Sequence, residues 1–474
     1  MTEPRVFTSP FSDGLGAGLP QEDYYGYVGD VKDALLAAGA SPGDVVEIER
    51  PDGTRFRGML MPRNEFSAPD IVVIKLDNGY NIGVRLVKGS RLTVISKGAL
   101  TSHPGEPVSL SESKVESPPT RVIIIGTGGT IASRVDYETG AVKPYMDPRE
   151  LAASVPEAFR YATIDVEQFM AIFSEDMTPS SWDSIAREVA KKLEGGYEGV
   201  VIAHGTDTMA YTSAALSFVF HRGLPAPVVL VGAQRSSDRP SSDAAFNLTA
   251  AVLTAAKAPF GEVAVVMHGE SGDTYALAHR GTKVRKMHTS RRDAFQSVND
   301  VPLAKVWPYE GRIEMLRDDY RPRSKSLDPQ FGFDERVALV KFYPGMTSEL
   351  LEFLIDRGYH GIVVEGTGFG HVANRLIPTL RRAYEEGIPV VITSQTLFGR
   401  VNLNVYSTGR KMLEAGVIPA EDMLPETAFV KLSWVLARTR DMAEVRRLML
   451  TNLAGEINPR HELRLFPRWY HDRL

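Results

Sequence analysis

Four short runs constrain the fold of this chain more than any other feature: RVIIIG (121–126), EGVVIAHG (198–205), APVVLVGA (226–233) and GEVAVVM (261–267). Each is almost continuously apolar and rich in β-branched residues, without the alternation of a half-exposed strand. A strand of that kind must be covered on both faces, which is the condition of a parallel sheet with helical crossovers. Helical segments such as Ser181 to Leu193 and Ala244 to Ala256 lie between the runs and supply the crossovers. The class expected is therefore α/β, and ligands are expected where such strands end, at their carboxyl edge. A second set, VALVKFY, GIVVEGTG and PVVITSQ, follows a charged, proline-containing break at RDDYRPRSKSLDPQFGFDER (317–336). We read a larger α/β domain over 120–320, a connecting segment over 321–336, and a smaller α/β domain over 337–440. A C-terminal extension, 441–474, ends in RHELRLFPRWYHDRL; packing against its own domain is expected of it rather than a nucleic-acid patch.

The region before these runs has a different texture. A helical stretch from Val31 to Ala38 stops at Gly39, and from Gly43 the pattern changes to period two. VVEIER, a Pro51-Asp52-Gly53 turn, TRFRGMLM, DIVVIKL and an Asn78-Gly79 turn follow in sequence. Several short strands joined by tight turns predict a small all-β barrel of SH3-like type over 1–97. Such a module ordinarily mediates interaction and carries no chemistry. Residues 98–119, GALTSHPGEPVSLSESKVESPP, are rich in Ser, Pro and Glu and read as a linker.

Composition removes several chemistries. Among 474 residues there is no cysteine, which excludes disulfides, thiolate metal sites, iron–sulfur clusters and thiol nucleophiles. A formal net charge of -5 argues against a uniformly basic nucleic-acid surface. No run reaches the roughly 18 uncharged apolar residues needed to span a bilayer, and the N-terminus lacks the apolar core of a secretion signal. A cytoplasmic protein without a membrane association is expected.

The carboxyl ends of the strands hold the residues of chemical interest. RVIIIG runs into Gly126-Thr127-Gly128-Gly129-Thr130-Ile131-Ala132. Ile131 stands where a dinucleotide fingerprint needs Gly or Ala, and the Gly-Lys-Ser/Thr of a P-loop is missing. What remains is a glycine turn that brings backbone N–H groups and the Thr130 hydroxyl to the sheet edge, as an oxyanion site requires. The second run ends in His204-Gly205-Thr206-Asp207-Thr208-Met209. A lone Thr-Asp pair would ordinarily cap a helix, but two threonines at one sheet edge suggest more. Arg285-Lys286-Met287-His288-Thr289 is a third element. A basic pair in a loop is usually solvated, yet a lysine near a threonine and an aspartate supplies what a hydroxyl nucleophile needs, since an unassisted Thr is a poor nucleophile. Finally, Phe173-Ser174-Glu175-Asp176-Met177-Thr178-Pro179 reads either as a capping segment or as a clamp for a zwitterion, Ser174 for a carboxylate and Glu175 for an ammonium.

Taken in order, Gly-Gly-Thr-Ile-Ala, Ser-x-Asp-Met, His-Gly-Thr-Asp-Thr-Met and Lys286 resemble the bacterial-type L-asparaginase/glutaminase family over about 121–440. The resemblance implies an asparaginase-like two-domain core with parallel sheets, and amide hydrolysis through threonine without a metal or organic cofactor. Carried over by position, Thr130 would be the nucleophile, and Thr206, Asp207 and Lys286 the cluster that activates it or the attacking water. Asp207, Ser174 and Glu175 would hold the substrate. Family members usually carry Gln where this chain has Glu175. The family also uses a lid tyrosine; Tyr137 is taken for it, with Tyr145 as the alternative.

With its N-terminal module, which contains GDVVEIE, RGMLMPRNE and LDNGYNIGV, the chain is similar to the D subunits of archaeal-type glutamyl-tRNA(Gln) amidotransferases. That resemblance implies a glutaminase that delivers ammonia to a separate protein, the amidotransferase E subunit. The partner would use ATP and Mg to convert Glu-tRNA(Gln), which it would also mainly hold, to Gln-tRNA(Gln). It implies further a homodimer through the asparaginase-like cores, hence two D and two E subunits. The alternatives are a free-standing L-asparaginase with an added N-terminal domain, and a catalytically silent scaffold.

Overall fold

The computed structural model describes residues 24–61, 63, 68–75, 81–97, 120–128, 133–135, 142–144, 155–235, 242–462 and 465–466. The chain forms two compact units, one holding the N-terminal module and the other the two α/β lobes.

In the first unit, the helix Gly29–Ala37 precedes five strands: β1 (Val45–Glu49), β2 (Arg55–Leu60), β3 (Ile71–Lys75), β4 (Asn81–Arg85) and β5 (Arg91–Ser96). All pairings are antiparallel, in the order β4-β3-β2-β1-β5. A four-strand meander whose fifth strand returns to the first is the order of an SH3-like barrel, as expected. Alternation does the folding: in β1 Val46 and Ile48 turn inward, and with Leu60, Val72, Ile74 and Val84 they surround Val31 and Leu35 of the helix. Tyr27 is fully buried in this core, its hydroxyl donating to Met61 O at 2.6 Å and accepting from Val73 N at 3.0 Å. Burial pushes this phenol up to about 12.

The larger lobe is built on one eight-stranded sheet. Its strands are β6 (Arg121–Gly126), β9 (Thr163–Gln168), β10 (Gly199–Ala203), β11 (Val228–Val231), β12 (Val263–His268), β13 (Ala276–Arg280), β16 (Ala304–Trp307) and β17 (Arg312–Met315). Two pairs stand outside it, β7 (Ser133–Val135) with β8 (Val142–Pro144) and β14 (Val284–Lys286) with β15 (Phe295–Ser297). The four apolar runs are β6, β10, β11 and β12, and together with β9 they are parallel. Beyond β12 the sheet turns antiparallel, at β13, β16 and β17. The short link from His268 to Ala276 forces this reversal, since a parallel return needs a crossover of a dozen or more residues.

The helices Pro179–Glu194 and Ala244–Lys257 cover the strands. The helix Met209–Val219 is buried on nearly every side. It lies between the sheet and the helix Pro425–Leu436 of the smaller lobe, which explains a helix apolar all round.

The smaller lobe has four parallel strands, β18 (Val337–Lys341), β19 (Gly361–Gly366), β20 (Val390–Ser394) and β21 (Ile418–Pro419). The two lobes share one core, in which Trp182, Ala214 and Phe218 meet Val363, Trp434 and Leu436. The helix Met442–Leu450 adds Val445 and Met449 to that core, although the sequence reading sets 441–474 apart as an extension. Farther along, Phe466 touches Phe398 edge-on at 5.6 Å between ring centroids. Among the described residues no helix is long and apolar enough to cross a membrane.

Candidate active site

Three loops converge where β6, β10 and the segment after β9 end. Gly126 and Ala203 are register partners in the β6–β10 pair. Immediately beyond, Thr127 returns to the same strand end: its N–H and its hydroxyl both donate to Ala203 O, at 3.0 and 2.9 Å. Gly128 follows at φ +113, where a Cβ would stand 2.1 Å from Ile172 O. Only glycine fits that backbone and that contact. Gly128 thus lies directly against the segment that carries Ser174.

That segment forms a single 3-10 turn, Ser174–Asp176, ahead of the helix Pro179–Glu194. The capping reading of this segment holds. Thr178 caps the helix in a capping box with Ser181, while Ser174 is buried against the loop after β10. A Cβ on Gly205 would lie 2.7 Å from the Ser174 Cβ and 2.8 Å from its Oγ. Thr208 locks the two together, its hydroxyl donating to Ser174 O at 2.6 Å. Glu175 stands beside Ser174 and is exposed.

Lys286 completes the cluster from a distant part of the chain. Its Nζ donates to Thr206 Oγ1 and to Asp207 Oδ1, both at 2.8 Å. The lysine side chain is 13% exposed and the aspartate 69%, so the ammonium is held at the edge of the protein interior with its carboxylate facing solvent. Arg285 and Lys286 lie not in a loop but on strand β14, paired with β15. Arg285 takes the other face of that strand and pairs with Glu426. Of the residues expected at the site, Ser174, Glu175, Thr206, Asp207 and Lys286 lie on these converging elements. Thr130, Tyr137 and its alternative Tyr145 lie outside the described residues. No group of three or more His, Asp or Glu able to hold a metal occurs among the described residues.

His204, unassigned by sequence reasoning, fixes the loop that presents Thr206. It is fully buried, with Nδ1 2.7 Å from Gly205 O and Nε2 2.9 Å from Thr212 Oγ1. A carbonyl only accepts, so Nδ1 carries the proton and Nε2 accepts from the Thr212 hydroxyl. Burial pulls this imidazole down from 6.5 to about 4. The folded state therefore resists a proton that the unfolded chain accepts near pH 6.5. The associated stability is present above that pH and is lost as pH falls toward 4. Urea midpoints measured across this window should fall with pH, and less steeply in His204→Gln; equal slopes would remove His204 as a cause.

The joined larger and smaller α/β lobes, with a Thr–Lys–Asp cluster at a parallel sheet edge, define an asparaginase-type fold. Comparison with known proteins agrees. Residues 121–321 match the family described as Asparaginase, N-terminal, residues 336–449 the Glutaminase/Asparaginase C-terminal domain, and residues 40–95 the GatD N-terminal domain. Among solved structures, the thermostable L-asparaginase from Thermococcus kodakarensis is 35% identical with a TM-score of 0.64, over 72% of this chain and all of that one. L-asparaginase I from Vibrio cholerae is 31% identical, with a TM-score of 0.62 over 72% of this chain and 99% of that one. Curated relatives cover the N-terminal module as well. The glutamyl-tRNA(Gln) amidotransferase D subunit from Aeropyrum pernix is 64% identical over 89% of this chain and 99% of its own length, and its Pyrococcus horikoshii counterpart is 58% identical over 90% and 98%. The chain belongs to the family of glutamyl-tRNA(Gln) amidotransferase D subunits.

Proposed function

We propose that this chain is the glutaminase subunit of a tRNA-dependent amidotransferase. It hydrolyses L-glutamine through Thr130 and passes the ammonia to its partner, the E subunit, which converts Glu-tRNA(Gln) to Gln-tRNA(Gln) with ATP. The observation that carries the reading is the Lys286 ammonium within 2.8 Å of both Thr206 and Asp207, beside the strand that leads into the Gly-Gly-Thr turn.

The chemistry follows from proton accounting. Attack of the Thr130 hydroxyl on the amide carbon forms an ester and releases ammonia, so the threonine proton has to end on the departing nitrogen. Water then cleaves the ester to give glutamate, and one of its protons returns to the Thr130 oxygen. The Thr206 oxygen accepts from Lys286, which leaves its own proton directed away from the lysine and toward the reacting groups. A hydroxyl held by an ammonium in this way can relay a proton in either direction. Backbone N–H groups of the glycine turn are suited to stabilise the oxyanion. Ser174 and Asp207 would hold the amino-acid end of the substrate, with Glu175 beside the ammonium and Tyr137 closing over it.

This reading assigns no cofactor to the chain itself and gives ATP and Mg to the partner, together with most of the tRNA contact. Two D and two E subunits, with the D subunits paired through their asparaginase-type cores, complete the assembly. The lack of any cysteine supports a hydroxyl nucleophile, because a thiol-dependent glutaminase cannot be encoded here. The test is ammonia release from glutamine and from asparagine, by the chain alone and with its partner and Glu-tRNA. Glutamine hydrolysis that rises in the full complex is expected. Strong asparagine hydrolysis by the isolated chain, or no release under any condition, would overturn the reading.

A further inference from the structure

The strand that delivers Lys286 has little support of its own. It is three residues long and, among the described residues, pairs only with the three residues of β15. A two-stranded ribbon is marginal in water even at greater length, so something else must hold it.

Val284 is buried in the core of the larger lobe, and the strand touches the helix Met209–Val219; its polar contacts, with those of the two residues before it, run to the start of the helix Pro425–Leu436 in the smaller lobe. Lys283 donates to Asp422 Oδ2 at 2.7 Å, with both side chains buried. The Thr427 hydroxyl donates to Thr282 O at 2.9 Å. Arg285, next to Lys286 on the opposite face of the strand, approaches Glu426 Oε1 at 2.9 Å and Oε2 at 3.3 Å. The same helix packs along Met209–Val219, the helix that begins just after Thr206 and Asp207, and the Tyr211 and Phe429 rings meet edge-on at 6.1 Å. Both halves of the Thr–Lys–Asp cluster therefore rest on one helix of the other lobe.

We propose that Glu426 is a positioning residue, which through Arg285 fixes the strand Val284–Lys286 so that the lysine ammonium stays within hydrogen-bond reach of Thr206 and Asp207. Its carboxylate is 10% exposed, and burial pushes its pKa up while Arg285 opposes that. A charge kept in such a place needs its partner. The consequence is that chemistry in the larger lobe depends on a carboxylate of the smaller one that touches no substrate. This rests on the assignment of Lys286 to catalysis made above.

The experiment compares the full complex of the wild type with Glu426→Gln, Glu426→Asp, Arg285→Gln and the double Gln variant. One readout is covalent labelling of the nucleophile by a diazoketone analogue of glutamine, as rate and as number of sites. The other is amide hydrogen exchange over residues 284–297. Glu426→Gln should label and turn over about 10-fold more slowly or worse, since misplacing a catalytic group by about 1 Å can cost on the order of 10²-fold. KM should stay within about 2-fold, every site should still be labelled, and exchange over 284–297 should accelerate. Glu426→Asp should recover part of the rate, and the double variant should be no worse than either single one, because a pair acting as a unit is lost only once. Unchanged rate and exchange would overturn the proposal, as would a loss of rate that only mirrors a loss of labelled sites. If the wild type neither releases ammonia nor labels, the glutaminase reading fails, and exchange over 284–297 alone decides whether Glu426 holds the strand.

Discussion

Thr130→Ala is expected to lower glutamine hydrolysis by about 10³-fold or more, because loss of a covalent nucleophile removes the step that every later step depends on. The change deletes a hydroxyl and a methyl, and the contacts that anchor the residues just before the turn do not involve Thr130. Thr127 binds the strand end through Ala203 O, and Gly128 lies against Ile172 O. Thermal melting should therefore move little. The complex carrying this variant, supplied with external ammonium, should still amidate Glu-tRNA(Gln), since only the ammonia source has been lost. Glutamine-dependent amidation that survives the substitution would place the nucleophile elsewhere.

Lys286→Met should cost about 10²- to 10⁴-fold in kcat, the range of positioned proton transfer, with a smaller change in KM. The lysine donates to Thr206 Oγ1 and Asp207 Oδ1 at 2.8 Å, and no other cation touches either oxygen among the described residues. Methionine keeps the stem packed and removes only the ammonium. The stability penalty should be slight, because Asp207 is 69% exposed and a solvent-facing ion pair contributes little. Steady-state ammonia release, read beside a melting curve, checks both halves of the expectation. A raised KM with kcat intact would make Lys286 a substrate ligand instead.

What could be read in the sequence was what depends on nearby residues. The runs from Val122 to Ile125 and from Val200 to Ala203 are strands because continuous β-branched apolar residues have few other solutions, and their carboxyl ends marked the site. The alternation in Val45–Glu49 and Ile71–Lys75 likewise gave the N-terminal module. Strand β13 was missed because Ala276–Arg280 holds no β-branched residue; only the short link before it implies an antiparallel return. Lys286 was found only through the company of Thr206 and Asp207 within a familiar motif set. Its strand and its support were not visible, since Glu426 stands in Pro-Glu-Thr at a helix start, where an acidic residue is commonplace. Contacts between residues some 140 positions apart, such as Arg285 with Glu426, leave no local mark.

The pairing of β6 also bears on how the chain is made. Its neighbours in the sheet are β9 and β10, which begin only at Thr163 and Gly199. While the polypeptide is being synthesised, Val122 to Ile125 must therefore wait, apolar on both faces and with an open hydrogen-bonding edge on each side, until those segments leave the ribosome. An unpaired strand of this composition is prone to intermolecular association. The segment that leads into the Gly-Gly-Thr turn is thus also one in need of shielding during biogenesis.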